Sequence, residues 1–281
     1  MPELPEVETI KLQLNSILPG LVIKEIEILS PKSFGGEKKE IVGKKITGIQ
    51  RFGKMLVIGL DNGLSLGIHL KMTGRLIYRG NKQPKNLQIG DPKIQKLPSK
   101  HTRVVIHFTN GDRLYFNDLR KFGWMRVLDS IKREALSGKL GIEPFTKNYT
   151  LENFQKVLGK SKKPIKLLLM DQEKIAGVGN IYANEALFCT RISPKTPANQ
   201  LKSDQVKKLF DCISRVLKNG IKWRGASDDA YLDAFGQKGE VQKHFLVYDQ
   251  KGKSCSNECG GKIEKIMLSG RGTYFCQICQ K

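Results

Sequence analysis

The spacing of apolar and polar residues changes near the start of the chain, and the change separates a helix from strands. Four apolar residues recur there at helical spacing: Val7, Ile10, Leu14 and Ile17. From about residue 21 to residue 128 the repeat shortens to two, which is typical of strands that bury one face. Asn62-Gly63 and Asn110-Gly111 interrupt paired apolar runs, as hairpin turns do. The pattern predicts a helix over residues 5–18, followed by a β-rich domain of two packed sheets.

A second change, from strand to helix periodicity, falls near the middle of the chain. The strand pattern stops around residues 140–146, and we place an interdomain hinge at 139–149. Helical patterns follow at residues 150–158, 164–170, 180–191 and 203–218. Before the hinge, residues 80–100 are polar and contain prolines, which predicts a long loop. The chain is therefore expected to have a β-rich half and a helical half.

Charge identifies the expected kind of partner. The chain carries 49 Lys and Arg against 27 Asp and Glu, a formal net charge of +22. Because this excess is spread along the chain, it favours folded surfaces that bind phosphates over a basic tail. The length of 281 residues and the 39% hydrophobic content exclude disorder as the main state. Nucleic acid is the expected partner, although charge alone also fits a ribosomal or membrane-surface protein.

The sequence shows neither a targeting signal nor a membrane-spanning segment. The start is acidic and no apolar run approaches bilayer length, so we expect no membrane partner and a cytoplasmic location. In that reducing location, clustered cysteines indicate a metal site instead of disulfides. Cys189 and Cys212 lie singly in helical patterns, whereas the other four of the six cysteines cluster near the C-terminus.

The C-terminal cluster has the spacing of two metal-binding knuckles joined by a hairpin. Its members are Cys255, Cys259, Cys276 and Cys279. Four thiolates at this spacing suit one tetrahedral Zn²⁺ and leave no open position, so the metal is expected to be structural. Clustering by chance, or as small buried hydrophobes, is the alternative. The hairpin between the knuckles carries Lys262, Lys265 and Arg271, which predicts a stiffened basic finger.

The first residues combine a proline with carboxylates. If the initiator methionine is removed, Pro2 has a secondary amine that is partly unprotonated near neutral pH and can attack an electrophilic carbon. Glu3 and Glu6 could supply the proton transfers that such chemistry needs. The alternative is that proline and glutamates simply open a helix, with the acids near the positive end of its dipole.

Two further segments have features of nucleic-acid binding. Residues 175–180, Ile-Ala-Gly-Val-Gly-Asn, place two glycines just before a helix, whose first amides could then approach a phosphate. A glycine hairpin packed between helices is equally compatible with this motif. Arg120 and Phe122 lie on one predicted turn of the β half and could form a wedge that opens a DNA step. Taken singly, Met72 and Phe122 are also ordinary core residues.

Taken together, these segments resemble the formamidopyrimidine-DNA glycosylase family of bifunctional base-excision repair enzymes over nearly the whole chain. The matching motifs, in order, are residues 2–8, Lys54, and residues 69–74, 118–123, 170–171, 177–183 and 271–276. The resemblance implies an α+β multidomain fold: an N-terminal β-sandwich with an N-terminal helix, a helix-two-turn-helix domain, and a C-terminal four-cysteine zinc-finger β-hairpin. The expected domains are a catalytic domain at 1–138, a helix-two-turn-helix domain at 150–240 and a finger at 246–281.

The resemblance implies a DNA-formamidopyrimidine glycosylase that is also a DNA-(apurinic or apyrimidinic site) lyase. Pro2 would attack the anomeric carbon of a damaged nucleotide, expel the base and form a Schiff base, and strand cleavage by β,δ-elimination would follow. Glu3 would be the proton donor that helps open the sugar ring, and Glu6 would support the site. Lys54 would donate a proton around β-elimination and bind phosphate, and Arg271 would be its counterpart for δ-elimination.

The resemblance also implies contacts with damaged double-stranded DNA. Five residues match positions that hold the DNA backbone around the lesion: His69, His101, Arg120, Lys162 and Asn180. Three match the residues that fill the gap left by the everted base: Met72, Arg120 and Phe122. This agrees with the physics, because a base cannot be attacked inside the stack. A monomer with one structural zinc is expected, of bacterial type and associated with the nucleoid.

Two features depart from the family pattern. The first zinc knuckle has three residues between its cysteines, where the family usually has two. The expected lesion-recognition loop, about residues 224–240, is unusually acidic at Asp228, Asp229 and Asp233. The acidic residues make lesion preference the part of the resemblance that transfers least.

Leu4 favours the branch that removes oxidised or ring-opened purines, such as 8-oxoguanine and formamidopyrimidines, opposite cytosine. Two alternatives stay open at this point. One is an endonuclease VIII-type glycosylase for oxidised pyrimidines, which usually has glycine at that position. The other is a non-catalytic DNA-binding homologue, because a retained Met1 would block the nucleophile.

Overall fold

The structure is a computed structural model that describes residues 1–84, 91, 94–227 and 231–281. Its described residues form two compact units. The first comprises Met1–Gly138 and Ile221–Gln242, and the second comprises Lys139–Gly220 and Lys243–Lys281. Among the described residues, no helix is both long enough and apolar enough to span a bilayer.

The chain opens with helix α1, Leu4–Asn15, which confirms the predicted N-terminal helix with a shorter C-terminal end. Its first turn is stabilised by Pro5, whose fixed backbone suits that position. The Glu6 carboxylate accepts a hydrogen bond from the Glu3 backbone N–H at 2.7 Å and so satisfies a donor at the helix start. The buried face, which includes Val7 and Ile10, packs into the core of the first unit.

Two sheets follow α1 in the first unit, as the strand periodicity predicted. The strands are β1 Ile23–Ile28, β2 Phe34–Gly35, β3 Ile46–Phe52, β4 Met55–Leu60, β5 Ser65–His69, β6 Gly74–Arg79, β7 Thr102–Phe108, β8 Arg113–Asp118 and β9 Trp124–Leu128. One sheet has the order β1-β7-β8-β6 and the other β2-β9-β5-β4-β3. The pairs within them are antiparallel except β2 with β9. Turns at residues 61–64 and 109–112 join β4 to β5 and β7 to β8, where hairpins were predicted.

An apolar core lies between the two sheets and under α1. It combines residues such as Ile26, Leu76 and Phe116 of the first sheet with Leu56 and Ile68 of the second. Because alternate residues of both sheets point into this core, the first unit is a β-sandwich.

A short helix, α2 (Ser130–Ser137), follows β9 and was not predicted from the sequence. Its residues are half-buried or exposed, and the Asp129 side chain caps it by accepting from the Lys132 N–H at 2.7 Å. The segment Ile221–Gln242 also belongs to this unit, although its sequence follows the helical region. Among the described residues of the predicted long loop, 80–84, 91 and 94–100, there is no strand.

The second unit contains the predicted helices. They are α3 Leu151–Gly159, α4 Ile165–Met170, α5 Asn180–Cys189 and α6 Ser203–Lys222. Thr150 caps α3 by accepting from the Asn153 N–H at 3.2 Å. The predicted hinge, 139–149, lies at the start of this unit, where the Gly141 N–H donates to the Gln172 carbonyl at 3.0 Å. The functional domain boundaries expected from the sequence stay a prediction.

The second unit ends in a β-hairpin that packs on α5. Strands β10, Ile263–Leu268, and β11, Arg271–Cys276, pair in antiparallel register. Phe188 of α5, Val247 and Tyr274 share a small core with the hairpin. The Glu185 carboxylate of α5 accepts three backbone N–H bonds from residues 246–248, at 2.8 to 3.1 Å. Burial and packing therefore fix the hairpin against the helical part of the unit.

The two cysteines that lay singly in the sequence form a disulfide. Cys189 at the end of α5 is joined to Cys212 of α6 across 23 residues of sequence. One Nη of Arg215 lies 2.6 Å from the Cys189 sulfur and 3.0 Å from the Cys212 sulfur. This pairing was not predicted from the sequence, because helical periodicity does not show which helices become neighbours.

Candidate active site and nucleic-acid interface

Met1 is exposed, but the residues that follow it are buried at the start of α1. Pro2, Glu3 and Glu6 all have little exposed surface, and Glu6 connects them to another segment of the first unit. One oxygen of the Glu6 carboxylate accepts from the Glu3 N–H at 2.7 Å, and the other accepts from the Ala226 N–H at 2.8 Å. Because both bonds involve backbone amides, Glu6 fixes the chain next to Pro2. While Met1 is attached, the Pro2 nitrogen is an amide and has no nucleophilic lone pair.

Lys54 lies in the tight turn between β3 and β4 and is only 7% exposed. Gly53 before it has a φ of 55°, a left-handed conformation that glycine adopts readily. Arg51 donates from Nε to the Glu8 carboxylate at 2.6 Å and from Nη1 to the Gly53 carbonyl at 2.8 Å. The Arg51 side chain therefore ties the Lys54 turn to α1.

Glu8 is held ionised by these contacts. Burial alone would raise its pKa, but hydrogen bonds from Arg51 and Lys11 outweigh burial and lower the pKa below its usual value. Arg51 was not identified from the sequence. Its position three residues before Lys54, a candidate catalytic lysine, was the signal that could have found it.

His69 ends β5 in a neutral state. Burial, followed by the positive charges of Lys71 and Lys54, lowers the pKa of His69 to about 3. The Lys71 backbone N–H donates to the His69 Nδ1 at 3.0 Å, so the ring proton lies on Nε2. An Nε2–H group of this kind can donate to a phosphate oxygen. The influence of Lys54 on His69 also shows that the two side chains share one electropositive region.

Two exposed turns beside this region carry the candidate wedge. Thr73 donates from its hydroxyl to Asp118, and the Arg120 N–H lies 3.1 Å from both the Thr73 hydroxyl and the Asp118 carboxylate. The other Asp118 oxygen accepts from the Gly123 N–H at 2.7 Å. Asp118 therefore organises residues 119–123 and joins them to the turn that carries Met72.

The wedge residues themselves are unusually exposed for their size. Met72 is 39% exposed and Phe122 is 52% exposed. The Arg120 guanidinium lies over the Phe122 ring, 4.7 Å from its centroid. The core alternative for Met72 and Phe122 is therefore wrong. His101 is brought to the same place, since its carbonyl accepts from the Asp118 N–H at 2.9 Å.

In the second unit, Asn180 is the first residue of α5 and follows a glycine turn that the Gln172 side chain holds by hydrogen bonds. Gln172 donates to the Val178 carbonyl at 2.8 Å and accepts from the Gly177 N–H at 3.0 Å. The Asn180 Oδ1 atom is buried, and it has no hydrogen-bond partner within the part of the chain that the structure describes. A buried polar atom without such a partner makes Asn180 a candidate for contact with a ligand. Lys162, also in this unit, is exposed between α3 and α4.

Arg271 is exposed at the first position of β11, next to a tight turn. Two buried side chains hold this strand on the helices of its own unit. Lys166 of α4 donates to the Gly272 carbonyl at 2.8 Å and to the Thr273 hydroxyl at 2.7 Å. Asn184 of α5 accepts from the Tyr274 N–H at 2.9 Å. The position of Arg271 is therefore fixed by α4 and α5.

The four clustered cysteines have the geometry of a metal site. Their sulfur atoms all lie within 4.8 Å of one another. The Cys255 and Cys279 sulfurs are 3.7 Å apart, and the Cys259 and Cys276 sulfurs are 3.5 Å apart. Tetrahedral Zn–S bonds of about 2.3 Å require sulfurs about 3.8 Å apart. The extra residue in the first knuckle therefore leaves all four ligands in place, and the cluster could hold one metal ion.

The expected lesion-recognition loop is described only in part. Asp228 and Asp229, two of its three acidic residues, lie outside the described residues. Asp233, the third, is buried, and its carboxylate accepts hydrogen bonds from its own segment and from α1. The Asp233 carboxylate therefore stabilises the fold of this segment.

Family comparisons match both units of the chain. The formamidopyrimidine-DNA glycosylase N-terminal domain matches residues 1–125, and the H2TH domain of the same family matches residues 140–230. Formamidopyrimidine-DNA glycosylase from Pelotomaculum thermopropionicum is 40% identical, with 100% of this chain and 99% of the relative covered. The protein of the same name from Lactiplantibacillus plantarum is 38% identical, with both chains fully covered.

Solved structures of a Lactococcus lactis relative are also similar to this chain over nearly its full length. Its complex with DNA containing an abasic site gives a TM-score of 0.86 at 34% identity, with 99% of each chain covered. A mutant of that protein in complex with Fapy-dG-containing DNA gives a TM-score of 0.87 at 34% identity, with both chains fully covered. The wild-type protein has also been solved with DNA containing an oxidised pyrimidine, with a TM-score of 0.86 at 34% identity and full coverage of both chains.

Proposed function

The chain belongs to the formamidopyrimidine-DNA glycosylase family, and from this membership we propose that it excises oxidised or ring-opened purines from double-stranded DNA. The substrates are 8-oxoguanine and formamidopyrimidines opposite cytosine, and the enzyme then cleaves the strand at the abasic site. The observation that carries this proposal is the buried arrangement at the chain start, where Glu6 fixes the backbone of Glu3 beside Pro2.

Base excision begins with Pro2 after Met1 has been removed. The Pro2 nitrogen attacks C1′ of the everted nucleotide, and the bond from C1′ to the base breaks with its electron pair leaving on the base. The proton that the Pro2 nitrogen loses in this step is taken up by the departing base, which restores the nitrogen lone pair. Glu3 gives a proton to the ring oxygen of the sugar, the ring opens, and the nitrogen lone pair forms the C=N bond of a Schiff base. Glu6 acts on this step through the Glu3 backbone, and so it positions the site without touching the substrate.

Strand cleavage follows from the Schiff base by two eliminations. Loss of a C2′ proton expels the 3′ phosphate, and a second elimination expels the 5′ phosphate. Lys54 assists the first as proton donor and phosphate ligand, and its buried turn keeps it close to α1. Arg271 has the corresponding role in the second, from a strand that Lys166 and Asn184 hold in place.

Five candidate residues bind the DNA backbone around the lesion. The neutral His69, with its Nε2 proton, donates to a phosphate, and the side-chain amide of Asn180 at the start of α5 contacts the DNA backbone. His101, Arg120 and Lys162 add further backbone contacts. Met72, Arg120 and Phe122 fill the gap left by the everted base, and their exposure supports this role.

The four cysteines hold one Zn²⁺ with a structural role. The sulfur separations of 3.5 and 3.7 Å suit its tetrahedral coordination, and four thiolates leave no position for water. When bound, the ion stabilises the hairpin that carries Arg271 and has no part in the reaction steps. We propose 246–281 as this finger, 1–138 as the catalytic domain and 150–240 as the helix-two-turn-helix domain, with residues 224–240 holding the everted base.

Excision from two matched duplexes tests the proposed substrate. One duplex carries 8-oxoguanine opposite cytosine, and the other carries thymine glycol opposite adenine. We expect faster single-turnover excision of 8-oxoguanine. The opposite ranking would support the endonuclease VIII alternative, and the L. lactis complex with an oxidised pyrimidine makes slower action on that duplex an expected second activity. Binding without excision of either base would support a non-catalytic homologue.

A further inference from the structure

One polar side chain of α1 holds the segment that follows residue 230. Gln13 donates from Nε2 to the Asp233 carboxylate at 2.9 Å and accepts the Ala234 backbone N–H on Oε1, also at 2.9 Å. Both groups of its amide are therefore used, in an orientation that only a neutral donor-acceptor side chain can satisfy.

The partner of Gln13 is a buried carboxylate that organises its own segment. Asp233 is 1% exposed, and its other oxygen accepts from the Phe235 N–H at 3.0 Å and from the Gln237 N–H at 2.8 Å. Ala234 is also fully buried. If Gln13 lost its amide, the structure would be left with a buried charge and a buried N–H that have each lost a partner. The segment would have to shift toward water to satisfy them.

The same helix also holds the chain before residue 228. Glu6 accepts from the Ala226 N–H at 2.8 Å, and the Glu6 carbonyl accepts from the Tyr231 hydroxyl at 3.3 Å. Glu6 and Gln13 are seven residues apart, so they lie on one face of α1. A single helix face therefore connects the catalytic chain start to residues 226, 231, 233 and 234.

We infer that Gln13 is a positioning residue for base selection: through Asp233 and Ala234 it sets the segment that holds the everted base relative to Pro2. This inference rests on the proposed function. Asp228, Asp229 and Ala230 form no part of it. Because the segment that Gln13 positions holds the base and not the sugar or phosphates, loss of Gln13 should slow excision of a damaged base and leave cleavage at an abasic site intact.

The test compares two single-turnover rates in the full-length protein: excision of 8-oxoguanine from duplex DNA, and cleavage of a duplex with a pre-formed abasic site. Gln13→Met keeps the size of the side chain and removes both hydrogen bonds. Gln13→Glu places a carboxylate against Asp233. In the double variant Gln13→Glu/Asp233→Asn, position 233 carries the amide donor and position 13 carries the carboxylate acceptor, so the hydrogen bond between them is restored in the opposite direction. Leu12→Ala, at an exposed position of the same helix, is the matched control.

We expect Gln13→Met to lower excision about tenfold, as small misplacements of substrate do, with abasic-site cleavage changed by less than about twofold. Gln13→Glu should lower excision further, the double variant should recover most of it, and Leu12→Ala should change neither rate. Unchanged excision in Gln13→Met, an equal fall in both rates, or no recovery in the double variant would overturn the positioning role alone. A wild-type protein that cleaves abasic sites but excises no base would overturn this inference together with the proposed substrate.

Discussion

The disulfide between Cys189 and Cys212 gives the most quantitative prediction for the second unit. It joins the end of α5 to the middle of α6, and the other end of α5 carries Asn180. A covalent link at this point limits how far the two helices can separate in the unfolded chain. Removing it should therefore lower the stability of the unit that contains both Asn180 and Arg271.

The size of the effect follows from the length of the closed loop. In the chain-entropy treatment, a crosslink across 23 residues reduces the entropy of the unfolded chain enough to stabilise the folded state by about 3 kcal/mol at 25 °C. The link is lost once, whether one cysteine or both are replaced. The variants Cys189→Ser, Cys212→Ser and the double variant should therefore lose similar amounts, and the effects of the single replacements should not add.

Urea unfolding followed by far-ultraviolet circular dichroism measures this loss, because helices α3 to α6 dominate the signal. The four clustered cysteines are untouched in all three variants, so the proposed metal site stays intact, unlike after treatment with a thiol reducing agent. Alkylation of the unfolded, metal-free protein provides the control: four thiols should react in the wild type, out of six cysteines. Six reactive thiols, or a double variant within about 0.5 kcal/mol of the wild type, would refute the reasoning.

Three further predictions concern charge, metal and the hairpin anchor. His69 has a pKa of about 3 in the folded state and 6.5 in the unfolded state, so the unfolded state binds more protons as the pH falls between these values, and the free energy of unfolding decreases. Urea midpoints should show that His69→Gln removes about 2 kcal/mol of this decrease at pH 5. The same dependence of stability on pH in the wild type and in His69→Gln would contradict it. Chelation of the metal should unfold the four-cysteine hairpin and abolish tight DNA binding while the β-sandwich stays folded, and retained affinity after verified zinc loss would contradict the structural role. Glu185→Ala should destabilise the second unit by about 3 kcal/mol in urea titrations, because the buried Val247 N–H loses its acceptor, and a loss below about 1 kcal/mol would show that the three bonds are not needed.

Elements with strong local periodicity were predictable from the sequence. The helix of Val7 and Ile10, the alternating strands and the Asn-Gly turns each depend on contacts close in sequence, and the structure has them. The cysteine spacing was equally informative, since four thiolates at knuckle spacing have few other arrangements. Helix α2, which follows β9, was not predictable, because none of its residues is buried and its sequence therefore shows no apolar repeat.

Contacts between distant residues were not predictable. Nothing in the patterns around Cys189 and Cys212 indicated that α5 and α6 become neighbours. Gln13 and Asp233 are 220 residues apart, and neither belongs to a motif. The grouping of residues 221–242 with the N-terminal unit follows from such contacts. In the candidate site, the sequence motifs supplied the candidate residues, whereas Gln172 and Asn184, which hold two of the surrounding segments in position, became visible only in the structure.

The central claim is that the amine of Pro2 forms a Schiff base with the sugar of the damaged nucleotide. Borohydride trapping on 8-oxoguanine duplex DNA tests it with one protein in two forms: an N-terminally tagged chain, in which the Pro2 nitrogen is an amide, and the same chain after the tag has been cleaved to leave Pro2 first. We expect a covalent adduct only after cleavage, with peptide mass analysis locating it on Pro2. An adduct in both forms, or no adduct from a chain verified to begin at Pro2, would contradict the account.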